Sequence, residues 1–133
     1  LVLGVANVWE PRKGLADFLR LSTLLPDCCR IVLVGLPEKQ IKKLPAGVLG
    51  LPRTPDGGTL AQVYTAADVY VCPSVEETFG MTVLEAACCG TTPIVYQHTA
   101  CQEVAEAHGG LAVPRGAENL ASAIVALMRR EEL

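Results

Sequence analysis

The sequence predicts an α/β domain: a doubly wound, six-stranded, mostly parallel sheet with helices on both faces. Three observations predict it. Short apolar runs of strand length alternate with segments of helical periodicity along the whole chain. Glycine and proline, 12 and 9 in number, fall between these segments and so mark turns. Hydrophobic residues make up 50% of the chain and charged residues only 19%, which puts much of the backbone in a sheet covered on both sides.

The elements follow in order. Leu1 to Ala6 is a strand candidate, and after Lys13-Gly14 a helix carries Leu15, Phe18, Leu19 and Leu25 on one face. Ile31 to Gly35 reads as the second strand, Pro37 to Lys43 as a short helix, and Val48 to Leu51 as the third strand. Beyond the Asp56-Gly-Gly-Thr turn signal, Leu60, Val63, Tyr64 and Ala67 recur at helical spacing. Val69 to Cys72 is the fourth strand, followed by an acidic loop and a helix that opens near Met81 or Thr82 and stops at Gly90. Pro93 to Tyr96 is the fifth strand, Gln102 to Ala107 a short helix, Leu111 to Val113 the sixth strand, and Leu120, Ile124, Leu127 and Met128 mark the last helix. This alternation is that of a Rossmann-like sheet, with no linker and no internal repeat.

At 133 residues the chain is one domain of ordinary size. A net charge of −3 and a pI near 5.3 argue against nucleic acid as a partner, and the composition excludes disorder. Apolar runs such as Ile31 to Leu36 are too short to span a bilayer. No basic stretch precedes Leu1-Val-Leu-Gly-Val, so no signal peptide is expected. An opening inside a strand and a close inside the tail Met128-Arg-Arg-Glu-Glu-Leu133 predict a piece of a longer protein. The six cysteines fall as two adjacent pairs and two singles, without the Cys-x-x-Cys spacing of zinc sites, so reduced, mostly buried thiols and a cytosolic location are expected.

Chemistry concentrates in Ser74-Val-Glu-Glu-Thr-Phe-Gly-Met-Thr-Val-Leu-Glu85. Glu77 sits in a loop at the carboxyl end of a strand, where open α/β sheets bind ligands, and Gly80 lets backbone approach a ligand closely. A helix starting near Met81 offers unpaired N–H groups and the positive end of its dipole to a phosphate. Glu85, in the first turn of such a helix, could accept two hydrogen bonds from a ribose diol. Thr82-Val-Leu-Glu85 equally fits a capping box, with Thr82 as the cap. The loop after the first strand carries Arg12 and Lys13 ahead of Gly14. Taken alone they read as surface charge; opposite a phosphate they would stabilise a leaving diphosphate.

Together these residues resemble the donor-binding half of retaining glycosyltransferases of the GT-B fold, family GT4. The resemblance is carried by Pro73-Ser74, Glu77-Thr-Phe-Gly80, Glu85-Ala86, Cys89-Gly90 and Pro93, a pattern similar to the family's Glu-x7-Glu signature. It extends from Lys13-Gly14 to the Gly109-Gly-Leu-Ala-Val-Pro114 segment and the closing helix. The resemblance implies that Glu85 binds the ribose hydroxyls and Glu77 the donor sugar, and that backbone N–H groups from Phe79 through Gly80, Met81 and Thr82 to Val83 hold the sugar and distal phosphate. Lys13 with Arg12 would neutralise the diphosphate, and the base would lie near Leu51 and Arg53. The implied ligand is a UDP-, GDP- or ADP-sugar, with no metal and no other cofactor. The implied reaction is transfer of a hexose-type sugar in polysaccharide or glycoconjugate synthesis, such as that of a cell-envelope polysaccharide. Residues 1–133 would form the donor domain, with the acceptor held by an N-terminal domain outside this fragment. A location in the cytoplasm or at the inner face of the membrane, with peripheral membrane association of the full-length protein, would follow.

The sequence departs from the family pattern in three places. Asn7-Val8-Trp9 stands where Gly-Arg is common, Gly90-Thr-Thr-Pro93 is one residue longer than Gly-x-Pro, and Ala100-Cys-Gln-Glu103 replaces Gly-Gly-x-x-Glu. Two other classes fit less well. A dinucleotide-binding domain wants Gly-x-Gly-x-x-Gly in the first turn, and a phosphate-accepting signalling domain wants clustered aspartates. A non-catalytic nucleotide-sugar sensor, or half of a GT-B epimerase or phosphorylase, remains an alternative.

Overall fold

The computed structural model describes residues 1–5, 14–26, 28–52, 57–73 and 81–131, with backbone alone at 57, 81, 100, 130 and 131. The strands are β1 (Val2–Val5), β2 (Ile31–Val34), β3 (Val48–Leu51), β4 (Val69–Cys72), β5 (Thr92–Tyr96) and β6 (Leu111–Val113). Between and after them run α1 (Leu15–Leu24), α2 (Glu38–Ile41), α3 (Gly57–Ala66), α4 (Met81–Cys88), α5 (Ala100–Ala107) and α6 (Ala117–Glu131). The strands form one sheet in the order β3-β2-β1-β4-β5-β6. Among the described residues every strand pairing is parallel, so the sheet is wholly rather than mostly parallel.

Period-two alternation gives each strand to two cores. Val2 faces a layer built by Phe18 and Leu21 of α1 and by Leu120 and Ile124 of α6. Leu3, one residue on, faces a layer built by Tyr64 of α3, Val83 and Ala86 of α4, and Cys101 and Ala105 of α5. The same split recurs in β2, where Ile31 and Leu33 join the first layer and Val32 and Val34 the second. Gly4 is required by a close approach: a Cβ there would lie 2.4 Å from Phe18 Cζ, so the ring of Phe18 lies directly on the backbone of β1.

Several expectations shift by a residue or two. β2 ends at Val34, before Gly35; β5 takes in Thr92; α5 begins at Ala100; and α2 shrinks to Glu38–Ile41 with no buried residue. The buried face of α1 is Phe18 and Leu21, flanked by Leu15, Leu24 and Leu25; Leu19 is only half-buried and Leu21 takes its place. The six cysteines form no disulfide, and only Cys72 and Cys101 are buried, while Cys28 and Cys88 are exposed. The expectation of mostly buried thiols is therefore wrong for this chain. Cys28 and Cys29 lie in the connection between α1 and β2, and Cys88 and Cys89 at and just past the end of α4, positions at the surface rather than in the core.

Candidate functional site

Strand order sets where the motif-bearing segments leave the sheet. The chain steps outward from β1 to β3, then returns to add β4 on the other side of β1. The order therefore reverses between β1 and β4, and open α/β sheets bind ligands in the crevice at the carboxyl ends of the strands beside such a reversal. Residues 6–13 follow β1 and residues 74–80 follow β4, so both motif-bearing loops leave from this point.

Gly14 joins the two. Its φ is +83°, and a Cβ on it would fall 2.5 Å from Pro73 Cγ and 2.6 Å from the Pro73 carbonyl oxygen. Only glycine accepts both the left-handed backbone and the contact. The start of α1 is thus pressed against the end of β4. Tyr96 of β5 reinforces the arrangement by donating its hydroxyl to Asp17 Oδ2 in the first turn of α1, at 2.6 Å. Burial, this hydrogen bond and the Asp17 charge all raise the Tyr96 pKa above the ordinary tyrosine value.

Helix α4 begins at Met81, so the N–H groups of Met81, Thr82 and Val83 have no intrahelical acceptor. Val83 is fully buried against the second layer, which directs the helix axis over the sheet. Thr82 Oγ1 accepts a hydrogen bond from the buried Tyr70 hydroxyl at 2.7 Å. Glu85 is the fifth helical residue, exposed, and its Oε2 accepts from the Tyr64 hydroxyl at 3.4 Å. Two expectations are corrected here. Glu85 opens the second turn rather than lying in the first, and Thr82 lies inside the helix, so the capping box is not formed. Met81 starts the helix one residue too early for Thr82 to cap it.

The two tyrosines form an edge-to-face pair, with ring centroids 5.6 Å apart and planes at 71°. Burial first, then the Glu85 charge and hydrogen bond, raise the Tyr64 pKa. Burial also raises that of Tyr70, helped by Cys72 and Tyr64. Sequence periodicity assigned Tyr64 to the core and Tyr70 to a strand; it carried no sign that their hydroxyls reach Glu85 and Thr82. Tyr64 and Glu85 also line an apolar groove of about 420 Å³ between α3 and α4, with Leu60, Leu84 and Cys88. Another cavity, of about 270 Å³, lies at the opposite ends of the strands beside Val2, Val69 and Met128, away from the crevice.

Of the other predicted site residues, Leu51 ends β3, half-buried, and its carbonyl accepts from the N–H groups of Gly35 and Leu36. Three strand spacings, roughly 14 Å, separate β3 from β4, so Leu51 belongs to the far end of any site centred on α4. Arg12, Lys13, Arg53, Glu77, Phe79 and Gly80, and the side chain of Met81, lie outside the described residues. In the loop after β5, His98 takes a left-handed φ of +63°, and its N–H donates to Gln102 Oε1 at 2.7 Å. Among the described residues no group of three or more His, Cys, Asp or Glu is placed to hold a metal ion. No described helix is long and apolar enough to cross a membrane.

Comparison with known proteins matches residues 1–130 to the family described as "Glycosyl transferases group 1". A D-inositol 3-phosphate glycosyltransferase of Stackebrandtia nassauensis is 36% identical over 85% of this chain and 30% of its own length. A Campylobacter jejuni N,N'-diacetylbacillosaminyl-diphospho-undecaprenol alpha-1,3-N-acetylgalactosaminyltransferase is 30% identical over the whole of this chain and 36% of its own. The chain thus spans about a third of these relatives. Among solved structures, a sucrose-phosphate synthase from Thermosynechococcus elongatus superposes with a TM-score of 0.81 at 27% identity, covering 96% of this chain and 36% of that one. Anabaena HepE in complex with UDP-glucose superposes at 0.79 and 24% identity, over 98% of this chain and 40% of that one.

Proposed function

Because the chain belongs to the group 1 glycosyltransferases, with the half-sheet architecture of the GT-B fold, we propose that it is their nucleotide-sugar-binding half and serves retaining transfer of a hexose-type sugar. One observation carries the reading. Gly14, which follows the basic segment, packs on Pro73, which precedes the acidic one, so the described residues bordering the two segments are in contact. UDP-glucose in the Anabaena protein supports a nucleoside diphosphate sugar as the ligand class.

In this reading the diphosphate docks on the free N–H groups of α4 with Lys13 and Arg12 opposite, the ribose diol on Glu85, and the sugar hydroxyls on Glu77. The base extends toward Leu51 and Arg53. The bond from the anomeric carbon to the leaving phosphate breaks as the acceptor oxygen bonds to the same face of the sugar. The acceptor proton passes to the departing phosphate, whose growing charge is held by lysine, arginine and the helix dipole. No metal is needed for that. The acceptor belongs to a second domain, so these 133 residues should bind nucleotide without turning over. A cytoplasmic protein working at the inner face of a membrane, in cell-envelope glycoconjugate synthesis, fits this reaction.

Calorimetric titration of the chain with UDP, GDP and ADP tests the reading. At least one should bind, and Glu85→Ala should weaken it by roughly tenfold or more, the loss of hydrogen bonds to a charged group. Lys13→Ala should also weaken binding, and it should melt near the parent temperature. A Glu85→Ala chain with lowered stability and unchanged affinity would sink the ribose role; transferase turnover by the chain alone would overturn the two-domain requirement.

A further inference from the structure

We propose that Tyr64 is a positioning residue for Glu85: its hydroxyl, held at the rim of the core by α3, presets the carboxylate to receive a vicinal diol. The inference rests on the ribose role of Glu85. The tyrosine is the immobile partner. It is 1% exposed, its ring is set edge-on against Tyr70, and its carbonyl accepts hydrogen bonds from the Thr91 hydroxyl and the Ala67 N–H. Glu85 is exposed on α4, and a glutamate in water samples many rotamers that a ligand would have to freeze. Donation from Tyr64 to Oε2 at 3.4 Å occupies one of about four acceptor sites on the carboxylate and leaves the others open. A diol needs two of them. At neutral pH the tyrosine hydroxyl carries its proton and is a donor. Tyr70, by bonding Thr82 Oγ1 at 2.7 Å, ties the start of the same helix to β4. The start of α4 and the Glu85 side chain are therefore each braced by one member of the tyrosine pair. Ordering a group before the ligand arrives lowers the cost of binding.

A purely structural account exists: a buried hydroxyl needs an acceptor, and Glu85 supplies it. The two accounts differ in what happens to ribose discrimination. The experiment titrates the chain with UDP, GDP and ADP and with the 2′-deoxy form of each. Tyr64→Phe should lower affinity for the ribonucleotide that binds by roughly threefold to tenfold and lower that for its 2′-deoxy form less, so that the preference between them shrinks. Added to Glu85→Ala, it should have no further effect on either ligand. If Glu85→Ala abolishes the preference while Tyr64→Phe leaves it intact, the tyrosine has only a structural role and the inference fails, with the ribose role of Glu85 standing. If Glu85→Ala leaves the preference untouched, the ribose role falls and the inference with it. Should Tyr64→Phe not fold, fluorotyrosine at position 64 takes its place. Its more acidic hydroxyl donates more strongly, so the preference must change; an unchanged preference overturns the proposal.

Discussion

Glu85 and Gly14 matter to the proposed site for opposite reasons, one by what its side chain offers and the other by having none. Glu85 is available because α4 starts at Met81 and turns its fifth residue outward beside α3. Gly14 is confined by a φ of +83° and by the Pro73 carbonyl oxygen 2.6 Å from where a Cβ would stand. A carbonyl cannot rotate away as a flexible side chain could. Gly14→Ala should therefore destabilise the chain by about 1–3 kcal/mol from the left-handed backbone alone, with the clash added. Urea unfolding measures it, and an unchanged midpoint would mean that α1 does not abut β4 in solution. Glu85 was legible as a candidate from its spacing to Glu77. The Tyr64 partner was not, because a tyrosine at helical spacing reads as core, and it is core except for its last atom.

At the scale of elements, α1 is held by Phe18, which lies fully buried on Gly4 between β1 and the first-layer side chains. Removing the ring should open a cavity that β1 cannot collapse into without breaking its pairing with β2 and β4. Phe18→Ala should then cost about 3–5 kcal/mol, whereas Leu49→Ala, on the 57% exposed Leu49 of β3, should stay within about 0.5 kcal/mol of the parent. Thermal melts of the two variants, compared with the parent, check the contrast; equal losses would mean that β3 is covered in solution. Element boundaries were legible where apolar runs stop at a turn residue, as in β3 and β4. They slipped where a polar residue joins an element, as Thr92 joins β5, because pairing with Val69 recruits the residue regardless of its polarity.

For the molecule as a whole, all three tyrosines of the chain are buried and hydrogen-bonded, and each has its pKa raised. Stability follows from linkage. Below the unfolded tyrosine pKa of about 10 both states keep the proton and nothing changes. Above it the unfolded chain releases protons that the folded chain retains, so unfolding becomes easier as pH rises toward the folded values. The melting temperature should fall steadily above about pH 10, and tyrosinate absorbance should appear together with loss of helix rather than before it. Absorbance rising while the circular dichroism stays native would contradict the buried arrangement. The sequence by itself determined the six strands and the helices between them, the two-sided core and membership of a family, because burial imposes period two on strands and a near-fourfold period on helices wherever they occur. Tertiary structure alone decided that β4 lies beside β1, that Gly14 meets Pro73, that Thr82 is inside its helix, and that Tyr64 reaches Glu85. Each of these depends on a contact between residues far apart in the chain, as Val2 pairs with Val69, and no local pattern encodes which distant partner completes it.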